Sequence, residues 1–456
     1  MARGATGLRL IAAALTAGAA APAFADTLAD ALADAYRGNA TILAERYRQR
    51  QTDEALPEAL AGWRPTVNLQ GNVARAHQFF GLSFPGSRPI SDITPRTASA
   101  TLDQPIWHGG GIEAGIDQAR ASIAAGQAQL SATEQDQLLV AATAYLDAFR
   151  DKRVVELSEN LVEVLTLNQH DVQVTYNAGA ATETDTSQAV ARLSGAVAGR
   201  LGAKAQLGTS LARFRTAVGR DAVGDLSPPT QIGQVPATED EAARAAADRS
   251  PSVEAARHSL EAAQHAVDQA RAALLPQVDG VATLQHDDDY LIRGVKLNQA
   301  EIGVQATVPL YVGPAYAKVR AAKEGVSQAE KQVLEAEREA RETVATAWNA
   351  LQAARAQQEQ YRSQIKANEV ALSDTAKEVT AGTRTRLDVL NAQQELFSSR
   401  VNLVSAEHDT LLAGFRLEAA IGTFTPAALG LATPDYDPTE HLKAVEDKWW
   451  GTSPPD

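Results

Sequence analysis

Residues 380–396 read TAGTRTRLDVLNAQQEL. On both sides lie long stretches rich in Ala, Glu, Gln and Lys, so this segment interrupts what is otherwise one helix. Gly382 supplies the positive φ that ends a helix, and Thr385 the hydroxyl that caps the next one. The chain therefore reverses here and forms a helical hairpin. The same grammar recurs at 179–185, GAATETD, where Gly179 and Thr182 occupy corresponding places.

Working outward from these two turns, the whole chain reads as one unit written twice. GNATILAERYRQ (38–49) answers RSPSVEAARHSL (249–260), and WRPTVNLQG (63–71) answers LLPQVDGVA (274–282). LDQPIWHGG (102–110) answers ATVPLYVGP (306–314), and FRTAVG closes one copy at Gly219 as LEAAIG closes the other at Gly422. A period of about two hundred residues is far longer than a solenoid repeat. The first copy spans 26–222, the second 239–422, with a linker at 223–238 and a C-terminal tail at 423–456. Each begins with a helix of about 35 residues (26–62; 239–273) that stops near a proline. Two strands with period-two alternation follow, at 64–78 and 97–107, then at 276–286 and 301–311. A long helix (111–177; 315–380) and a returning helix (182–219; 384–421) complete each copy. Some 66 residues at a rise of about 1.5 Å give a rod of about 100 Å.

The second long helix carries a seam at Val319, Ala322, Val326, Ala329, Val333, Ala336, Ala340, Val344, Ala347, Leu351 and Ala354. Steps of three and four alternate except for one stutter, 336 to 340 to 344, which relaxes the left-handed supercoil. Periodicity alone leaves an ordinary coiled coil and a wide tube of helices equally open.

The N-terminus MARGATGLRLIAAALTAGAAAPAFAD has a basic start, an apolar stretch and the small-residue pattern Ala23-Phe24-Ala25, the marks of a secretory signal peptide at 1–25. Net charge is −14, and removing Arg3 and Arg9 leaves about −16. No basic stripe interleaved with aromatics is present, so a nucleic-acid partner is not expected. There is no cysteine, which excludes disulfide scaffolds and thiol chemistry. The eight histidines are scattered without carboxylates at metal-ligand spacing, and no catalytic constellation stands out, so no cofactor, metal or enzymatic activity is expected.

Four strands of about ten residues have the length of tilted strands crossing an outer membrane, and Trp63, Trp107 and Tyr311 stand at strand ends. Four strands cannot close a barrel, and open edges in lipid leave backbone groups unsatisfied at several kcal/mol each. Membrane insertion therefore demands assembly, and three copies give a 12-stranded sheet.

Signal peptide, duplicated helix–strand–loop–strand–helix units, QPIWHGG/VPLYVGP after the second strands and AGTRTRLDVLNAQQEL together resemble the TolC family of outer-membrane channel proteins. The resemblance covers about 26–422. It implies an α + β membrane protein: a homotrimer with a 12-stranded β-barrel in outer-membrane lipid, continued by a long α-helical barrel in the periplasm. The partners it implies are a periplasmic adaptor protein and an inner-membrane ABC transporter. The tail ALGLATPDYDPTEHLKAVEDKWWG (428–451) is similar to that of the type I secretion branch, which implies export of unfolded protein, with small-molecule efflux as the alternative inside the family. Outside it, the alternative is a periplasmic coiled-coil structural protein.

The resemblance also implies roles at the turns. Asp388 matches an aspartate lining the pore constriction, and Asn391 stands where a second aspartate is found, so the expected carboxylate ring is single. Arg384 matches a latch residue whose partner falls at Asp185, while the tyrosine of that latch is replaced by Val379. Gly179, Thr182, Gly382, Thr383 and Thr385 form the periplasmic tips where the adaptor is expected to dock. For both aspartates the plainer reading is stabilisation of their own helix dipole.

Overall fold

A computed structural model describes residues 26–79, 90–229, 235–290, 293–433 and 436–455; the expected signal peptide at 1–25 and part of the linker lie outside the described residues. Two rods dominate it. Helix α4 (Gly111–Asn177) and helix α8 (Gly313–Thr380) have 67 and 68 residues, each about 100 Å long. Helices α5 (Glu183–Val218) and α9 (Arg386–Ala420), about half that length, return from their far ends and pair with them as antiparallel hairpins.

The near halves of the rods are accompanied by shorter helices: α1 (Leu28–Gly38), α2 (Ala40–Asp53) and α3 (Ala55–Leu60) in the first repeat, α6 (Glu239–Arg249) and α7 (Pro251–Ala272) in the second. The continuous 35-residue helices expected at 26–62 and 239–273 are thus broken, at corresponding points. Asn39 stops α1 and caps α2, its Oδ1 accepting from the Thr41 amide at 2.8 Å. In the second copy Ser250, with extended backbone, precedes Pro251 at the first position of α7. Pro251 cannot donate into the preceding helix, so α6 ends there.

All eleven seam residues of α8 are buried or half-buried. The pattern continues through Gln358, Tyr361, Ile365, Asn368, Leu372, Thr375 and Val379 with alternating steps of three and four. Only the single stutter departs from a heptad over the full rod, which keeps the seam facing its partners along its length.

The sheet has the order β1 (Thr66–Val73), β4 (Arg96–Trp107), β5 (Gln277–Asp288), β6 (Lys296–Thr307), all antiparallel. Between β1 and β4 a separate hairpin forms from β2 (Ala76–Phe79) and β3 (Ile90–Ile93). The first strand, expected to run unbroken over 64–78, is therefore interrupted at Ala74 and Arg75. Pro95 lies opposite the break, and its missing N–H cannot continue the ladder beyond Arg96.

Register sorts the sheet into two faces. Leu69, Ala100, Leu284 and Ala300 stand side by side, as do Val67, Leu102, Ala282 and Ile302. The alternate rows are polar: Asn68, Thr101, Thr283, Glu301 and Gln70, Ser99, Gln285, Gln299. Leu69 is 81% and Ile302 87% exposed, so the apolar face is bare. Among the described residues the outer edges of β1 and β6 have no partner strand.

At the exit from β4, Gly109 and Gly110 have φ of 63° and 78°. A Cβ at Gly109 would stand 2.7 Å from that of Leu275, so the strand-to-helix corner passes too close to the second repeat for any side chain.

The thickest packing lies midway along the rods. Leu32, Ile42, Leu138, Tyr145, Phe214, Phe415 and Phe424 form one buried cluster that joins the first helices, both returning helices and the tail. Arg220 holds the buried Asp26 carboxylate through two nitrogens, at 2.7 and 2.9 Å, and Asp34 at 2.6 Å. Burial alone would raise Asp26; the bonds from Arg220 and the Val223 amide outweigh it and hold the carboxyl below its usual range.

Candidate functional site at the hairpin tips

Both tips are built by the same local rules. At the end of α4, Gly179 has φ 75° and the Ala180 amide donates to the Thr175 carbonyl at 3.0 Å; at the end of α8, Gly382 has φ 78° and the Thr383 amide donates to the Glu378 carbonyl at 2.9 Å. These are Schellman closures, in which the left-handed glycine lets the chain satisfy the last carbonyls while it turns. Each returning helix then starts with a capping box. The Asp185 amide donates to Thr182 Oγ1 at 3.2 Å while Asp185 Oδ2 accepts from the Thr182 amide at 2.9 Å. Thr385 and Asp388 repeat the arrangement, with Asp388 Oδ2 accepting from the Thr385 amide at 2.9 Å and hydroxyl at 2.8 Å.

The boxes set the charge state of both aspartates. The Thr385 hydroxyl and then its amide hold the Asp388 carboxyl below the usual carboxylate range. The Thr182 amide and hydroxyl do the same for Asp185, helped by the positive charge of Arg386. Each tip thus presents a carboxylate that stays ionised, with one oxygen turned back on its own helix.

The cross-links between hairpins within one chain run through residues other than the Arg384–Asp185 pair that the resemblance implies. Within one chain Arg384 does not meet Asp185. Its Nε pairs with Glu378 Oε2 at 2.7 Å, inside its own hairpin, because it lies in the turn before the helix begins. Arg386, on the first position of α9, reaches across instead and donates to Thr175 Oγ1 of α4 at 3.4 Å. Deeper along the returning helices, Arg192 of α5 donates to Asn391 Oδ1 of α9 at 2.9 Å. Beneath these polar links Leu161, Leu165 and Leu390 are buried together, with Leu193, Ala196 and Phe397 packed against them. Val379 is half-buried in the α8 seam, and Thr383 donates its hydroxyl to the Glu378 carbonyl at 3.0 Å.

Arg386, Arg192 and Glu378 were not singled out in the sequence. Arg386 has a signal, since TRTR places a second arginine one step inside the cap. Arg192 has none, because its partner is 199 residues away.

Known proteins bear on what such a molecule is. A family profile described as outer membrane efflux protein matches residues 31–220 and 242–423. The chain belongs to that family. Among curated relatives of this outer membrane efflux protein, BepC of Brucella suis biovar 1 (strain 1330), named an outer membrane efflux protein, is 32% identical over 92% of this chain and 91% of its own length. The alkaline protease secretion protein AprF of Pseudomonas aeruginosa is 26% identical over 66% of this chain and 64% of its own. Among solved structures, the outer membrane protein VceC from Vibrio cholerae matches with a TM-score of 0.74 at 19% identity, over 87% of this chain and 96% of that one. A membrane protein from Pseudomonas aeruginosa matches with a TM-score of 0.76 at 18% identity, over 87% and 91%.

The fold is that of the trimeric TolC-like channels, and the efflux-family chain is an outer-membrane transport protein rather than an enzyme. Its two-faced sheet follows from that location. The bare rows of Leu69, Leu284, Val67 and Ile302 are the lipid side, and the Asn, Gln, Thr and Glu301 rows face the lumen. The unpaired edges of β1 and β6 cannot remain open in hydrocarbon and must pair between copies. No described helix is long and apolar enough to cross a membrane.

Proposed function

We propose that the protein is the outer-membrane exit duct of a type I secretion apparatus, passing unfolded protein delivered by an inner-membrane ABC transporter through a periplasmic adaptor docked at the tips. The observation that carries this reading is continuity. One chain joins a sheet with a lipid face and a polar lumen face to rods of about 100 Å that end in two matching, charged turns. Relatives named for protease secretion, AprF and PrtF, support the secretion branch. Small-molecule efflux is the second reading, favoured by the 32% identity to a relative named as an efflux protein.

In this reading the tips are the gate. Three copies of Asp388 ring the constriction and favour cations, while Asn391 in place of a second acid leaves the ring single. The closed state is held by Arg386 to Thr175 and Arg192 to Asn391 inside each protomer, with Arg384 and Asp185 available for exchange between neighbours. Single-channel recording in planar bilayers tests it. Wild type is expected to conduct weakly, and Arg386→Ala combined with Arg192→Ala to conduct more. Absence of any conductance refutes the duct, and conductance unchanged by the double variant refutes the gate. Loss of a secreted protein on gene deletion supports secretion; heightened sensitivity to small toxic compounds with an unchanged secretome supports efflux.

A further inference from the structure

The tail after α9 is not loose packing. Phe424, Leu429 and Leu431 fill the mid-rod core, and the guanidinium of Arg46 lies 4.5 Å from the ring centres of both Tyr36 and Tyr436. Helix α10 (Thr439–Val445) then lies on α2, where His441 Nδ1 meets the buried Asp53 Oδ2 at 3.1 Å and Leu442 joins the cluster of Leu56, Ile116 and Ile123. Beyond it, Arg64 donates to the Lys448 carbonyl at 2.8 Å and lies 4.8 Å from the ring centre of Trp449. The tail therefore climbs the outside of the bundle from mid-rod to the foot of the sheet.

What it delivers there is two bare indoles. Trp449 is 58% and Trp450 86% exposed, with their ring centres 6.3 Å apart. Their contact, Arg64, is two residues before Thr66, the first residue of β1, which at about 3.3 Å per residue puts the Arg64 backbone roughly 7 Å from the start of the membrane sheet, with the Trp449 ring against its guanidinium. At the same end of the sheet Trp107, Leu310 and Tyr311 are also exposed. Held in place by buried contacts yet uncovered, the pair extends an apolar and aromatic rim that already borders lipid. Indoles favour this boundary because the ring is apolar and its N–H finds a partner among headgroups, while Arg64 and Lys448 stand beside it as cations.

We propose that Trp449 and Trp450 are a lipid anchor, seated at the headgroup–acyl boundary of the periplasmic leaflet of the outer membrane, with phospholipid as the partner. The anchor ties the mid-rod core to the bilayer from outside the barrel, fixing the depth and tilt of the duct independently of the strands.

The test is tryptophan fluorescence of the full chain in phosphatidylethanolamine and phosphatidylglycerol vesicles, with and without acyl chains brominated near the headgroup. Subtracting a Trp449→Phe/Trp450→Phe double variant from wild type isolates the pair from the other three tryptophans. The expected difference emission is blue-shifted from that of indole in water, mostly lost in brominated vesicles and little affected by aqueous iodide. Emission quenched by iodide and untouched by bromine overturns the proposal, since the tail then lies in periplasmic water. Emission indifferent to both overturns it as well, since another copy then covers the rings. Should the double variant fail to assemble, the single replacements Trp449→Phe and Trp450→Phe give the same subtraction.

Discussion

Glu418 stands near the end of α9, opposite the end that carries Asp388, and is 2% exposed. Its Oε1 has no hydrogen-bond partner among the described residues, and it lines a cavity of about 730 Å³ with Glu241, Asp248 and Arg249. Burial pushes the carboxyl up to about 7 from an ordinary 4.5. The folded state therefore holds this proton more tightly than the unfolded chain. Stability from this group is fully present below the unfolded value and is lost as pH rises through about 7, after which the dependence flattens. At 1.36 kcal/mol per pH unit the loss amounts to roughly 3 kcal/mol by pH 8 and under about 1 kcal/mol at pH 5. Glu418→Gln keeps the shape and cannot ionise. Denaturant unfolding of the purified protein in detergent should show the variant more stable than wild type at pH 8, by up to that amount, and nearly equal at pH 5. Equal stability at both pH values would show that the carboxyl titrates normally. A variant weaker at pH 8 would show that the carboxylate has a cationic partner, and either outcome refutes the reasoning.

Two further perturbations separate mid-rod stability from tip behaviour. Phe415 is fully buried with its ring centre 5.6 Å from that of Phe424, so Phe415→Ala should cost about 3–5 kcal/mol in the same unfolding assay while hydrogen exchange at the tips stays unchanged. Thr182→Ala and Thr385→Ala each remove a cap worth about 1 kcal/mol, so amides in the first turns of α5 and α9 should exchange roughly fivefold faster, with the Thr→Ser variants restoring protection; unchanged exchange would contradict the capping boxes.

What was legible in the sequence was local. A glycine three residues before a threonine cap, and an aspartate three residues after it, fix a turn by contacts that span at most five residues, so both tips could be drawn from GAATETD and GTRTRLD alone. The strands were legible because period-two alternation puts one face in lipid whatever the neighbours are. Gly38 and Pro251 mark the breaks at Asn39 and Ser250 locally, but helix-forming residues resume at once beyond each, so the two helices on either side read as one. Asn39 is held by a bond from its Nδ2 to the Ala217 carbonyl, 178 residues away. The same limit explains the latch. Both arginines of TRTR have the right charge, and only the hairpin geometry decides that Arg384 turns to Glu378 while Arg386 reaches Thr175, 211 residues distant. Two residues of sequence is a rotation of about 200° around a helix, or the difference between a turn and a helix face. A motif therefore marks the hairpin tip long before it can name the side chain that crosses to the neighbouring helix: within one chain Arg386→Ala removes the contact to α4, whereas Arg384→Ala removes an ion pair inside its own hairpin.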